Sequence, residues 1–303
     1  MRASGPAGIN LSSRNLPVSG TCLAGLLKRT TTMSLHHDSL TRAAAWIAAA
    51  DGIIITAGAG MGVDSGLPDF RGPQGFWKAY PALGKRKLRF EDIASPEAFR
   101  LQPRLAWGFY GHRLELYRTT TPHAGFSLLK KWADAKPHGA FIYTSNVDGQ
   151  FQKAGFPDDH IIECHGSIHH LQCLAPCSND IRPADGLKVY IDSINCEWLT
   201  SLPACPACGG LARPNILMFN DWEWLPHRVE AQRTHYRQWP AQRPVVIEIG
   251  AGTAIPSVRR FGEALSVPMV RINPREPDIK NPQAVGLPMG ALEALQALDR
   301  LLA

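Results

Sequence analysis

The chain has 303 residues, 45% of them apolar and 19% charged, so it is long enough to bury a large core. No apolar run approaches the roughly 20 residues that span a bilayer, which argues against a membrane-spanning protein. The formal net charge of +6 hints at nucleic acid, but four basic residues and no acid lie before residue 38. The rest of the chain is nearly neutral, and a phosphate-binding surface is not expected.

The basic segment, residues 1–37, is rich in Ser, Thr, Gly and Arg and has no periodic apolar pattern, which predicts disorder. Its acid-free composition is typical of a mitochondrial transit peptide. A start codon placed too far upstream, with Met33 as the true first residue, explains the same composition and is the favoured interpretation. The expected location is therefore cytoplasmic, or mitochondrial if residues 1–37 are a transit peptide.

Helices and strands alternate along residues 38–303. A helix capped by Asp38 or Ser39 is expected at 41–50, followed by a buried strand at 52–57 and an irregular stretch at 58–84. Further helices are expected at 103–118, 122–136, 257–265 and 290–302, and further strands at 140–144, 244–249 and 267–272. This alternation predicts an α/β fold, a Rossmann-like parallel sheet with helices on both faces and sites at the carboxyl ends of its strands.

A glycine loop, GAGMG at residues 58–62, directly follows the first predicted strand. Glycines there allow the backbone to approach a pyrophosphate closely and let free N–H groups bind it. The spacing does not match G-x-G-x-x-G, and such a loop alone is more often turn punctuation. Its continuation, DSGLPDFRG at residues 64–72, is longer and more distinctive.

Polar side chains follow two further strands. The run TSNVDG ends the strand at 140–144, and ECHGS follows a short strand at 161–162. Because the carboxyl ends of parallel strands meet at one edge of a sheet, Asn146, Asp148 and His165 can converge there. Each alone has an ordinary structural explanation as turn or core, but together with the glycine loop they indicate a site.

Residues 58–72 closely resemble the signature of the sirtuin family, a GAG loop running into S-G-(I/L)-P-D-F-R-G. The segments at 144–148 and 165–166 resemble the family's (T)-Q-N-(I/V)-D and H-G motifs. The resemblance implies an NAD-dependent protein-lysine deacylase that forms nicotinamide and O-acyl-ADP-ribose. It implies His165 as general base, with Asn146 and Asp148 positioning the ribose and a water. Ser145 replaces the family's usual Gln, so the ribose contact is expected to differ.

The resemblance also assigns the contacts to NAD. The glycine loop would line the phosphates and ribose, and Phe70 in the mobile loop would shield the reacting carbon from water. The runs GAGT at 250–253 and IN at 272–273 resemble the adenosine-binding elements, with an Ala-Gly inserted in the first. The implied NAD-binding residues are Gly58, Ala59, Gly60, Asp69, Phe70, Arg71, Ser145, Asn146, Asp148, Gly250, Gly252, Thr253 and Asn273.

Four of the seven cysteines form two close pairs, 27 residues apart. This pattern favours a zinc ribbon over a disulfide framework, in a small insert at about residues 167–215. Four thiolates leave no open coordination position, so one structural Zn²⁺ is expected. The expected ligands are Cys173, Cys177, Cys205 and Cys208, and the expected free thiols are Cys22, Cys164 and Cys196.

Two segments resemble substrate-binding parts of the family. The run RPNILMFND at 213–221 resembles the segment that pairs with an extended peptide by strand addition, although Asn-Asp replaces the usual Gly-Glu at its end. Tyr110 and Arg113 share a helix face and resemble the pair that binds acidic acyl groups such as succinyl or malonyl. A core tyrosine beside a solvated arginine is the alternative. The expected peptide contacts are Ile216, Met218 and Phe219.

Three other functions remain open. The run NVDGQFQKAG and the Cys-x3-Cys pair resemble a sirtuin branch that transfers ADP-ribose to protein, although that branch tends to lose the His and the PDFRG loop. A plain NADase is expected if no acceptor peptide is needed. The third is a non-catalytic zinc-ribbon adaptor. Few basic or aromatic residues lie near the cysteines, which argues against binding of nucleic acid by the zinc ribbon. Deacylation of acylated-lysine proteins is favoured.

Overall fold

A computed structural model describes residues 37–69 and 72–303 of the chain. The tail through residue 36, with Cys22 and Met33, and the loop residues Phe70 and Arg71 lie outside the described residues. The first helix, α1, covers residues 37–49. Asp38 and Ser39, expected as its caps, therefore lie within the helix.

A six-stranded parallel sheet lies at the centre of residues 39–303, with strand order β11-β10-β9-β1-β2-β3. Its strands are β1 (Ile53–Ala57), β2 (Ala140–Thr144), β3 (Ile161–Glu163), β9 (Val245–Ile249), β10 (Met269–Ile272) and β11 (Ala284–Leu287). The central strand β1 pairs with β2 and β9, so that Ile53 lies opposite both Ala140 and Val245. All of β1, β2 and β9 is buried, because both faces of the sheet are covered, and this explains their continuous apolar runs.

Helices cover both faces of this sheet. The helices that follow α1 are α2 (Gly72–Ala79), α3 (Pro81–Lys85), α4 (Phe90–Ile93), α5 (Pro96–Leu101), α6 (Pro103–Thr119), α7 (Ala124–Asp134), α8 (Gln150–Lys153), α9 (His227–Gln238), α10 (Ser257–Ala264) and α11 (Ala291–Leu302). Ile47, Leu129 and Leu295 bring α1, α7 and α11 into one core against β1. On the other face, Val229 and Val258 pack α9 and α10 into a second core. No helix in the described residues is both long and apolar enough to cross a membrane.

A smaller antiparallel unit follows β3. Its sheet contains β4 (Gly166–Cys173), β5 (Arg182–Pro183) and β8 (Ala212–Ile216), and a hairpin adds β6 (Ile191–Asp192) and β7 (Glu197–Trp198). The hairpin packs directly on α6, where a Cβ on Gly111 would lie 2.9 Å from the ring of Trp198. Trp107 of α6 also donates to the carbonyl of Ala212 at 2.9 Å. Helix α6 therefore depends on this unit for its packing.

The stretch at 58–84, expected to be irregular, is largely helical. A 3₁₀ helix spans Ala59–Ser65 and ends at Gly66, whose φ of +82° is the left-handed conformation that glycine favours. Helix α3 begins with Pro81 at its first turn, a position that needs no N–H donor. The turn-forming glycines and prolines thus separate short helices rather than prevent them.

Two other expectations differ from the structure. Helix α7 begins at Ala124, not at Pro122, because the ring of His123 caps it by accepting from the N–H of Gly125 at 3.0 Å. Helix α9 is not predicted from the sequence. Its buried residues are Val229 and Gln232, so the sequence shows no periodic row of apolar residues along one face of the helix.

Candidate active site

A cavity of about 830 Å³ lies at the carboxyl ends of β1, β2, β3 and β9. This is the edge at which an open parallel sheet binds ligands. Many of the residues expected from the sequence meet there. They are Gly58, Ala59, Asp69, Tyr110, Arg113, Ser145, Asn146, Asp148, His165, Ile216, Met218, Phe219, Gly250, Gly252 and Thr253.

The glycines after β1 and β9 allow two backbone loops to touch. Gly60 donates its N–H to the carbonyl of Gly250 at 3.1 Å, and a Cβ on Gly60 would lie 2.6 Å from the Cα of Gly250. Gly250 has a φ of +63°, and a Cβ there would collide with the backbone of Gly60. Gly60 is not among the residues that line the cavity; its close approach to Gly250 packs the two loops together, and its contact with NAD stays a prediction.

We expect Gly250→Ala to lower the free energy of unfolding by about 1–3 kcal/mol from the left-handed backbone alone, and by more from the collision. The matched control is Gly252→Ala in the same loop, where an added Cβ meets nothing within 4 Å. Urea unfolding of both variants measures the difference. Equal midpoints for the two variants would contradict the close approach of the loops.

The loop after β2 is fixed to the loop after β1. The side-chain amide of Asn146 donates to the carbonyl of Gly58 at 3.0 Å, and its backbone N–H donates to the hydroxyl of Thr144 at 3.0 Å. Asp148 is buried and accepts from the N–H of Gln150 at 3.0 Å. Burial raises the pKa of Asp148 to about 6, so this carboxyl group can take up a proton near neutral pH.

His165 lies in the short joint between β3 and β4, and its side chain faces the cavity. Burial lowers the pKa of its imidazole below the usual value, so the ring is neutral at pH 7 and able to accept a proton. The carbonyl of His165 accepts from the N–H of Leu217 at 2.9 Å, which joins it to the chain after β8. Burial raises the pKa of the neighbouring thiol of Cys164 to about 11, which excludes it as a nucleophile at neutral pH.

Helix α6 supplies one wall of the cavity. Tyr110 is 1% exposed and Arg113 is 7% exposed, so the alternative of a solvated arginine is wrong. The Arg113 guanidinium donates from Nε and Nη2 to the hydroxyl of Tyr117, at 3.0 and 2.9 Å. Burial raises the pKa of Tyr110 to about 12, which keeps its hydroxyl protonated and able to donate. This wall therefore presents a buried cation and phenol hydroxyls.

A buried ion pair shapes the segment after β8. Asp221 binds Arg213 with two hydrogen bonds, at 2.7 and 2.8 Å, and accepts from the N–H of Met218 at 3.3 Å. Asn220 has a φ of +54°, a conformation that asparagine tolerates better than most residues. The Asn-Asp dipeptide thus closes a tight turn that holds Met218 and Phe219 against the cavity.

The cavity also contains an acidic residue, Glu276, that the motifs do not single out. Glu276 lines the cavity, accepts from the hydroxyl of Thr253 at 2.9 Å and pairs with Arg259 at 3.0 Å. An acidic residue just past a strand is the available sequence signal, since dinucleotide sites use one for a ribose hydroxyl. Asn273 is fully buried and donates to the carbonyl of Ala251 at 3.0 Å. Asn273 therefore supports the loop instead of lining the cavity.

Asp69 is the last described residue before Phe70 and Arg71, and its carboxylate pairs with Arg275 at 3.2 Å. This pair joins the loop after the 3₁₀ helix to the segment after β10. Further residues line the cavity that are given no role from the sequence: Leu67, Pro68, Phe76, Arg89, Phe90, Glu91, Ala94, Tyr117, Val147, Leu217, Ala251, Ala254, Ile255 and Val258. Of these, Tyr117 has a sequence signal, since it follows Tyr110 by seven residues on one helix face.

The two cysteine pairs form one cluster. The sulfur atoms of Cys173, Cys177, Cys205 and Cys208 all lie within 4.8 Å of one another, with closest pairs at 3.7 and 3.6 Å. Tetrahedral zinc with Zn–S bonds of about 2.3 Å places its sulfurs about 3.8 Å apart, so the cluster fits one Zn²⁺. Gly209, with a φ of +71°, donates to the carbonyl of Cys205 at 2.8 Å and forms the tight turn. None of the four lines the cavity, which agrees with a structural metal.

Known proteins resemble this chain over most of its length. The Sir2 family model matches residues 58–268. The NAD-dependent protein deacylase of Aquifex aeolicus is 31% identical over 234 residues, which cover 75% of this chain and 85% of that protein. The mitochondrial NAD-dependent protein deacylase sirtuin-5 of Danio rerio is 32% identical over 207 residues, which cover 64% of this chain and 65% of that protein.

Solved structures agree on the fold. A mutant Sir2 homologue in complex with ADP-ribose has a TM-score of 0.63 and 24% identity, covering 86% of this chain and 94% of that one. A Sir2 homologue in complex with NAD has a TM-score of 0.61 and 22% identity, covering 84% of this chain and 91% of that one. Because the Sir2 family model matches more than half of the chain and the Aquifex aeolicus relative is 31% identical over 75% of it, the chain belongs to the Sir2 family.

Proposed function

We propose that this chain is an NAD-dependent protein-lysine deacylase, which moves the acyl group of a lysine side chain onto ADP-ribose and releases nicotinamide. The observation that carries the proposal is the position of His165. Its neutral imidazole faces the cavity that the glycine loops border, and its backbone is bonded to the segment expected to bind the peptide. The deacylases of Aquifex aeolicus and Danio rerio named above support the same activity.

The residues present fit NAD. Two glycine loops leave room at the sheet edge, and Glu276 offers a carboxylate of the kind that binds ribose hydroxyls. When bound, NAD supplies an electrophilic ribose carbon with nicotinamide as its leaving group. The chain's part is to orient the ribose and a water through Asn146 and Asp148, and to accept a ribose hydroxyl proton at His165.

Acidic acyl groups are the proposed preference of the substrate site. Arg113 is buried in the cavity wall, and a buried guanidinium forms its strongest contacts with a carboxylate. Tyr110 lies beside it, with the Arg113 guanidinium carbon 5.7 Å from its ring centre, and can donate a second hydrogen bond. Succinyl and malonyl groups end in a carboxylate, whereas an acetyl group does not.

The test is to incubate the purified chain with NAD and lysine peptides carrying acetyl, succinyl or no acyl group, and to identify products by mass spectrometry. Acyl-dependent release of nicotinamide together with O-acyl-ADP-ribose is the expected result. Nicotinamide release without any acyl requirement, with ADP-ribose free or attached to protein, would replace the deacylase with an NADase or an ADP-ribosyltransferase. Absence of NAD cleavage with every peptide would favour a non-catalytic adaptor.

A further inference from the structure

Three side chains on one face of α6 form the acyl-binding wall of the cavity. Tyr110, Arg113 and Tyr117 follow one another by three and four residues, so they are stacked along a single helix face. All three line the cavity and are almost fully buried, with exposed fractions of 1%, 7% and 5%. Tyr117 is the member of this set that no motif identifies.

Tyr117 occupies a particular edge of the guanidinium. A guanidinium can bind a carboxylate through its side edge, Nε with Nη2, or through its end edge, Nη1 with Nη2. The Tyr117 hydroxyl accepts from both atoms of the side edge, at 3.0 Å from Nε and 2.9 Å from Nη2. The guanidinium carbon also lies 5.4 Å from the Tyr117 ring centre, so the same residue packs against its plane.

The hydroxyl of Tyr117 accepts hydrogen bonds from Arg113, and its lack of charge matters as much as its position. A carboxylate in place of the phenol would neutralise Arg113 and remove the reason to attract an anion. A phenol hydroxyl is neutral, and burial raises the pKa of Tyr117 above its usual value, so it stays neutral. The hydrogen bonds therefore orient the guanidinium without cancelling its positive charge.

From this geometry we infer that Tyr117 is a positioning residue for acyl selectivity, which holds the side edge of Arg113 and so orients the guanidinium that binds the carboxylate of an acidic acyl group. The inference rests on the proposed function, because it assigns a role within the same substrate site. Preorganisation of this kind improves binding by removing the cost of ordering the side chain during association.

Tyr117→Phe tests the inference, since it removes the hydroxyl and keeps the ring. We expect a roughly tenfold weaker Kd and a higher KM for a succinyl-lysine peptide, because hydrogen bonds to a charged group are lost. The Kd and KM of the matching acetyl-lysine peptide should rise much less, so that the succinyl-to-acetyl ratio of kcat/KM falls, because acetyl has no carboxylate to orient. Tyr236→Phe is the matched control, on α9 and away from the cavity wall, and should change none of these values.

The two proposals fail in different ways. Equal weakening of both peptides by Tyr117→Phe, or no change in either, would overturn the selectivity role, because a packing defect has no reason to distinguish the acyl groups. A wild-type chain with no preference in Kd for the succinyl peptide would also overturn it. If the wild type binds the succinyl peptide with the expected dependence on Tyr117 but turns over neither peptide, the inference holds and the deacylase proposal fails.

Discussion

Replacement of His165 by alanine is expected to lower kcat for acyl-lysine peptides by about 10²–10⁴-fold, the usual contribution of a general base. The imidazole is neutral at pH 7 and faces the cavity, so its removal leaves the ribose hydroxyl without a nearby proton acceptor. The measurement is the rate of O-acyl-ADP-ribose formation at saturating NAD and peptide. His235→Ala, an exposed histidine on α9, is the matched control and should retain the wild-type rate.

The pH profile supplies a second check on the same residue. Burial lowers the pKa of His165 below its usual value of 6.5, so the base form persists to a lower pH than for an exposed histidine. Activity should therefore fall on the acid side only as the pH drops through this lowered pKa. An acid limb centred above pH 6.5, or a His165→Ala variant with the wild-type rate, would remove His165 from the role of base.

Loss of one zinc ligand is expected to have the second large effect. Structural zinc contributes about 10–16 kcal/mol of binding free energy in zinc-finger peptides, and that energy supports folding. Cys205→Ala should bind less than one zinc per chain, unfold at a lower temperature and lose peptide turnover. Turnover should depend on the metal because the antiparallel unit packs on α6, which contains the proposed acyl-binding residues Tyr110 and Arg113.

Metal content by mass spectrometry and Tm by calorimetry measure this effect. Cys164→Ala is the control for metal content, because its sulfur is buried outside the four-cysteine cluster. It should keep one zinc per chain. A Cys205→Ala chain that holds a full equivalent of zinc would show that the cluster is not the metal site.

The central sheet and the zinc cluster were predictable because each rests on a local signal. The strands β1, β2 and β9 are continuous apolar runs, which a doubly covered parallel sheet requires, and the family comparison and the fold confirm that interpretation. The two cysteines of each pair are close in sequence, so each pair can offer two sulfurs to one metal from a single turn. The structure brings all four sulfurs together. The cytoplasmic location and the absence of nucleic-acid binding stay predictions.

Other parts of the site depend on contacts between distant segments, which no local pattern records. Gly60 lies in a loop whose sequence is typical of phosphate-binding loops. Its close approach to Gly250 depends on the pairing of β1 with β9, which no local sequence pattern predicts. Asn273 follows a strand like a ligand-binding residue, yet its amide supports the backbone at Ala251. The side-chain oxygen of Asn273 accepts from the backbone N–H of Glu276 at 3.0 Å, and this turn places Glu276 at the cavity.

The position of His165 between β3 and β4 places it at the covalent joint between the parallel sheet and the smaller antiparallel sheet. Its backbone is hydrogen-bonded to Leu217, and the adjacent Gly166 pairs with Ile216 of β8. His165 is therefore tied to the end of β8, whereas the glycine loops are extensions of the parallel strands β1 and β9. Under the proposed function, a rigid shift between the two sheets would keep the distance from His165 to the acyl-lysine and change the distance from His165 to the ribose. Any such shift would therefore alter catalysis through the placement of the ribose.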